Sequence, residues 1–114
     1  MESILTSIKK MLGIEAAYTH FDPDIIMHIN SVFMILNQLG VGPEEGFAIE
    51  DDTSTWLSYV PEANFAKVEA IKTYIYLRVR LLFDPPLSSA VIESINRQIA
   101  EFEWRLNVAV DPKT

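Results

Sequence analysis

The sequence predicts an all-α fold: a small bundle of about four helices, with a long irregular loop between the second and third main helices. Apolar residues recur at three- and four-residue spacing along most of the chain, and glycine or proline follows where each such stretch ends. With 49% hydrophobic residues in 114, the chain can bury one core. We predict a single helical domain over residues 1–110 and a mobile tail over residues 111–114.

Clear start and stop signals mark the first two predicted helices. The first spans residues 2–12 and ends at Gly13, because glycine accepts the left-handed conformation that often terminates a helix. The second starts with Asp22 as its N-cap and Pro23 in the first helical position, and it runs to Leu39.

The second helix contains no formally charged residue between Ile25 and Leu39. A helix that faces water usually displays lysine and glutamate, whereas neutral amides and methionines suit a surface that meets another protein. We therefore predict a protein interface on the side away from the core stripe. The alternative is a central helix that its own chain covers. The predicted interface residues on this helix are Met27, Asn30, Met34 and Asn37.

Residues 40–66 form the least regular part of the chain, opening with glycine- and proline-rich turn chemistry. A brief helix is expected over residues 54–60, capped by Asp51 or Asp52. A connection of this length in a small domain is usually functional, disordered or packed on a partner. Its aromatic residues argue against disorder.

The third main helix, predicted over residues 64–83, is apolar almost all round and stops at the double proline Pro85-Pro86. Such a helix is either wrapped by other helices or shared with another chain, so it indicates assembly. Arg78 projects from the middle of the apolar face. A buried guanidinium without a partner is costly, so we expect it to pair with Glu103 or with an acid of a neighbouring chain.

The last helix, from residue 88 or 89 to 108, is the clearest amphipath. Its polar side carries glutamates and arginines at four-residue spacing, the pattern of a solvated face. Trp104 lies among them, away from the core stripe. Tryptophans so placed are enriched at interfaces, and the alternative is a ring that lies flat over its own helix.

The net charge of −7 is unevenly distributed, because residues 11–66 contain no lysine or arginine. An acidic middle argues against wrapping a nucleic acid, since phosphate binding needs basic side chains. It does allow a polyanion to slide past without binding. The alternative is ordinary solubilising charge. No apolar run approaches the roughly 18 residues that a membrane span needs.

The sequence offers no catalytic or cofactor-binding pattern. It has no cysteine, no Gly-x-Ser-x-Gly turn and no glycine loop followed by a Lys-Ser/Thr pair. His20 and His28 do not form a zinc-binding His-Glu-x-x-His motif. We therefore predict no enzyme activity, no metal and no cofactor.

Several segments together resemble the small head-tail connector proteins of tailed bacteriophages. The similarity is carried by the run from Tyr74 to Pro86, by Ser88-Ser89 and by the closing segment 101–108. It extends to the helix start at residues 22–24, the turn at residues 39–42 and the loop with Trp56, and so covers most of the chain.

The resemblance implies a structural virion protein, the head-tail adaptor of a long-tailed phage. Such a protein forms an oligomeric ring below the portal, extends the DNA channel and docks the next connector or tail component. It would lie in the neck of the virion and be in the host cytoplasm during assembly, with genome DNA passing through the channel without specific binding. The alternative is a small helical regulator that binds one partner protein through the second helix and Trp104.

The resemblance also gives roles to residues. Those expected at a protomer or partner interface are Met27, Asn30, Met34, Asn37, Arg78 and Trp104. Those expected in a channel-facing or ring-stacking loop are Glu44, Glu45, Phe47, Ile49, Glu50, Asp51, Asp52 and Trp56.

Overall fold

The computed structural model describes residues 2–110, without the side chains of residues 109 and 110, and the predicted tail at 111–114 lies outside this range. The elements are, in order, α1 (Ile4–Met11), α2 (Asp22–Gln38), α3 (Trp56–Tyr59), α4 (Phe65–Phe83) and α5 (Ser89–Val110). The all-α prediction is confirmed. The brief helix expected inside the long loop is α3, a single turn, which brings the helices of the described residues to five. No β-strand occurs between residues 2 and 110.

Three of the helices begin with the local capping chemistry that favours a helix start; at α5, the Ser88 hydroxyl accepts a hydrogen bond from the Val91 N–H at 3.3 Å. Ser3 precedes α1, and its hydroxyl accepts a hydrogen bond from the Thr6 N–H at 3.0 Å. Asn64 precedes α4, and its side-chain oxygen accepts one from the Lys67 N–H at 2.8 Å. α1 therefore starts two residues later than predicted, whereas α4 starts within one residue of its predicted position.

The predicted caps of α2 and α3 are wrong. Phe21 precedes α2, and Asp22 is its first helical residue, with a carboxylate that faces Lys9 of α1. Thr55 precedes α3, in place of Asp51 or Asp52. The Asp51 carboxylate instead accepts hydrogen bonds from the hydroxyl (2.6 Å) and the N–H (2.9 Å) of Thr53, which hold its pKa below the ordinary value.

α4 is the central helix of the bundle and contacts α1, α2 and α5. Its Ile71, Tyr74, Ile75 and Val79 side chains are completely buried. The apolar excess that indicated a shared helix is therefore largely wrapped by the chain itself. Leu82, in the last turn of α4, is the exception and remains mostly exposed.

The long loop packs against α1 and α2. The N–H of Ile4 donates to the carbonyl of Ser54 at 2.9 Å, and an isolated antiparallel bridge joins Ser3 to Thr55. Trp56 is buried, and its indole N–H donates to the Ser7 hydroxyl of α1 at 3.0 Å. The loop is thereby part of the folded domain. Across the described residues, every helix is too short or too polar to cross a membrane.

Candidate functional site

Arg78 pairs within its own chain, which decides between the two partners that the sequence left open. Its Nη2 contacts Oε2 of Glu103 on α5, and its Nε donates to the Tyr74 hydroxyl at 2.7 Å. The Tyr74 hydroxyl in turn donates to the same Glu103 oxygen at 2.7 Å. The three side chains lock α4 to α5. The Arg78 side chain is still 32% exposed, so a neighbouring molecule can reach it.

The lock shifts the pKa of each member. Burial and the hydrogen bond to Glu103 raise the pKa of Tyr74. Burial opposes the ionised form of Glu103, but hydrogen bonds from Arg78 and Tyr74 outweigh it and lower the pKa. Burial likewise opposes the charge of Arg78, and its bonds to the other two side chains overcome this and raise the pKa. The charged forms of Arg78 and Glu103 are therefore favoured in the folded chain.

The two amides of the predicted α2 interface bind the chain's own loop. Asn30 Nδ2 donates to the Ile49 carbonyl at 3.0 Å, and the Ile49 N–H donates to Asn30 Oδ1 at 2.8 Å. Asn37 Nδ2 donates to the carbonyls of Pro43 at 3.1 Å and Glu44 at 3.3 Å. On this side, α2 is a helix covered by its own chain, which was the alternative to an interface.

A second side of α2 stays open. Met27 is 59% exposed and Met34 is 68% exposed, and Ser31 and Gln38 beside them are also exposed. Their spacing of three and four residues places all four on one face of the helix. We call these four residues the methionine strip. It is an uncharged surface with two large apolar side chains in solvent.

Trp104 on α5 is the other large exposed side chain among the predicted interface residues, at 68% exposure. Val108, one turn later, is also exposed. The charges nearby are paired along the helix, with Arg105 Nη2 2.6 Å from Glu101 Oε1 and Arg97 further towards the N-terminus 3.7 Å from Glu93. Trp104 thus lies on a surface with little unbalanced charge.

The predicted channel or ring-stacking set divides into two groups. Ile49 and Trp56 are buried in the core, and Phe47 packs with ring centroids 5.3 Å from Phe33 and 5.0 Å from Tyr59. These three apolar side chains therefore pack inside the domain, which corrects their assignment to a channel-facing or ring-stacking surface. The acids of the set are all exposed: Glu44, Glu45, Glu50, Asp51 and Asp52.

Lys9 is a buried charge that sequence reasoning missed. Its side chain is 2% exposed, and Nζ donates to the carbonyls of Ala16 at 3.0 Å and Tyr18 at 2.7 Å and lies 2.8 Å from Asp22 Oδ1. One sequence signal was available, because Lys9 follows Leu5 by four residues and so shares its buried face. Its partners come from another segment, which that signal does not identify.

The described residues contain no group of three histidine, aspartate or glutamate side chains arranged to hold a metal ion. The fold exposes three distinct surfaces: an uncharged strip on α2, a tryptophan on α5 and an acidic loop.

Comparison with known families places these surfaces in context. A family model described as phage connector protein matches residues 4–113, which is nearly the whole chain. No curated protein and no solved structure matches the chain. The family match supports a structural head-tail connector role in the virion. The chain belongs to the phage connector protein family.

Proposed function

We propose that this chain is a head-tail adaptor that forms an oligomeric ring below the portal, extends the DNA channel and docks the next connector or tail component. In the virion it would lie in the neck, after assembly in the host cytoplasm. The family match supports the connector role. The observation that carries ring formation is the methionine strip, an uncharged helix face left open while the amides beside it are used internally.

Ring closure requires two different surfaces on each protomer, because a heterologous contact joins one patch to another. The methionine strip on α2 and the surface around Trp104 on α5 are two such patches on separate helices. Methionine adapts its shape to a partner, and tryptophan is enriched among the residues that dominate binding energy. We propose that these two patches meet between neighbouring protomers, with Arg78 near the contact.

The acidic loop would face the channel or a stacked ring. Its five exposed carboxylates repel phosphate groups, so DNA can pass without being held. Ile49 and Trp56 support this loop from the core.

Light scattering and negative-stain imaging test the proposal. The purified chain is examined over a range of concentrations, alone and with purified portal assemblies of the same phage. We expect closed rings, either of the chain alone or seated on the portal. A chain that stays monomeric at every concentration and does not bind the portal would contradict the proposal and leave the regulator as the better explanation.

A charge placed in the methionine strip tests the proposed protomer contact. Met34→Lys should abolish assembly, because an ammonium would be buried without a partner, while the melting temperature of the monomer stays unchanged. Ala66→Lys adds the same charge at an exposed position of α4, a helix that carries neither proposed patch, and should leave assembly intact. Normal assembly of the Met34 variant would show that the strip is not the contact.

A further inference from the structure

Asn30 binds the long loop as a neighbouring β-strand would. Its side-chain amide both donates to the Ile49 carbonyl and accepts from the Ile49 N–H, at 3.0 and 2.8 Å. Within the described part of the chain, neither Ile49 group has a backbone partner. Asn37 lies seven residues later on the same face of α2 and donates to Pro43 and Glu44. Two amides on one helix face therefore hold two points of the loop.

The exposed acids of the loop lie at the first anchored point, between the two points, or directly after the second. Glu44 is held directly at its carbonyl, and Glu50 follows Ile49, whose side chain is 2% exposed and anchored in the core. Without Asn30, the N–H and C=O of Ile49 would lose their partner next to that buried side chain. The path of the acidic segment 44–52 thus depends on a contact made by α2.

We propose that Asn30 is a positioning residue that fixes the acidic loop against α2, so that its carboxylates form a surface of constant shape. The residue acts within one chain, in contrast to the protomer contact that its sequence context predicted. The consequence for DNA passage or ring stacking rests on the proposed function. The placement of the loop by Asn30 is independent of that function.

Hydrogen exchange of the full chain, read by mass spectrometry or NMR, measures this placement. Asn30→Leu removes both hydrogen bonds at similar volume, and we expect exchange of the Ile49 amide to rise about tenfold or more at neutral pH. Amides in the centre of α4 should keep their protection. Asn37→Leu is the matched control, because it should loosen residues 43 and 44 and leave the Ile49 amide protected.

Asn30→Asp adds a readout that a general packing defect would not give. At neutral pH its carboxylate still accepts from the Ile49 N–H but repels the Ile49 carbonyl, so exchange at Ile49 should lie between that of wild type and that of the leucine variant. Once protonated, its hydroxyl can donate to that carbonyl, so acidification should restore protection relative to wild type at the same pH. The loop carries the carboxylates of Glu50 and Asp51 directly after Ile49, and the ionisable side chains of α2 are Asp22, Asp24 and His28, whose ring centroid lies 6.5 Å from that of Phe83.

The Asn30→Leu variant has the same neighbouring carboxylates as Asn30→Asp. If acidification restores protection of the Ile49 amide only in Asn30→Asp, the recovery is caused by protonation of residue 30. Wild-type exchange at Ile49 in both variants at neutral pH would overturn the inference. Equal pH profiles of the two variants would also overturn it. A loss of protection throughout α4 in both variants would do the same, because Asn30 would then determine the stability of the whole fold. Light scattering on the same samples keeps the two proposals apart: a chain that never assembles contradicts the ring, while exchange at Ile49 still decides the role of Asn30.

Discussion

At the scale of single residues, Lys9 orders a segment that the core does not. Residues 15–21 are all exposed, so few apolar contacts fix the path from α1 to α2. The Lys9 ammonium donates hydrogen bonds to the carbonyls of Ala16 and Tyr18 and forms an ion pair with the Asp22 carboxylate. A buried ammonium is tolerated because it has two hydrogen bonds and an opposite charge beside it.

Replacing this ammonium should therefore be costly. Lys9→Met keeps much of the side-chain volume but leaves Asp22 and two carbonyls without their donor, and we expect the free energy of unfolding to fall by about 3 kcal/mol. Urea unfolding followed by circular dichroism measures the change. Lys10→Met removes an exposed charge from the next position and should cost less than about 0.5 kcal/mol. Equal effects of the two changes would contradict a special role for Lys9.

The lock between Tyr74, Arg78 and Glu103 makes stability depend on pH. Glu103 has a lowered pKa in the folded chain, so its contribution is present above its unfolded pKa of about 4.3 and is lost as pH falls below it. Tyr74 has a raised pKa, so its contribution is present below about pH 10 and is lost above it. Glu103→Gln should flatten the acid limb of the unfolding profile and cost about 1 kcal/mol at pH 7.

The same unfolding profile tests where Arg78 acts. Because the pair is internal, Arg78→Met should lower the stability of the monomer at pH 7, and much of that loss should disappear when Glu103 is already glutamine. A double-mutant cycle under conditions that keep the chain monomeric measures this coupling. Additive effects of the two substitutions would show that the contact contributes little to stability.

At the scale of elements, the turn after α2 depends on a close approach between Gly42 and α3. Gly42 has φ +87°, and a Cβ placed there would lie 2.5 Å from a ring carbon of Tyr59. Gly46 has φ +95°, but a Cβ there would meet no atom within 4 Å. The two glycines therefore share a backbone requirement and differ in packing.

This difference can be measured with alanine. Gly46→Ala should cost about 1 kcal/mol through the left-handed backbone alone. Gly42→Ala should cost about 2–4 kcal/mol, because the Tyr59 ring must also move from its packed position. Thermal unfolding of both variants gives the comparison. Equal losses would mean that Tyr59 accommodates the added methyl group freely.

Local chemistry made most helix boundaries predictable from the sequence. Asn64 before α4, the double proline after it and Gly40 after α2 each act within a few residues of the chain. The Asp22 cap failed because its carboxylate has a stronger partner in Lys9, thirteen residues earlier. A capping pattern cannot reveal a competing partner from another helix.

Candidate surface residues were harder to predict, because exposure depends on tertiary packing. Met27, Met34 and Trp104 are exposed, as an interface would require, whereas Asn30 and Asn37 bind the loop and Ile49 and Trp56 enter the core. The periodicity of α4 likewise showed that it is surrounded by apolar contacts. It could not tell whether those contacts come from the same chain or from a neighbour.

At the scale of the whole molecule, the acidic middle of the sequence becomes a surface property. The domain measures 44 × 35 × 22 Å, and Asn30 and Asn37 hold two points of the long loop, which carries exposed acids, against α2. Of the described basic side chains, Lys9 is buried with Asp22, and Lys72, Arg78, Arg97 and Arg105 each pair with a glutamate. Lys10, Lys67 and Arg80 form no ion pair with another described residue, so three cations face an excess of exposed carboxylates.

We therefore expect no binding of duplex DNA, even at low salt. Fluorescence anisotropy of a labelled duplex, titrated with the chain at 50 and 150 mM salt, should stay flat, since binding requires basic side chains that displace counterions. Changing Glu44, Glu45 and Glu50 together to lysine raises the formal net charge from −7 to −1 and adds three local cations. That variant should bind DNA weakly at 50 mM salt, and this binding should disappear at 150 mM salt. Salt-sensitive binding by the unmodified chain would mean that its surface holds DNA and does not simply let it pass.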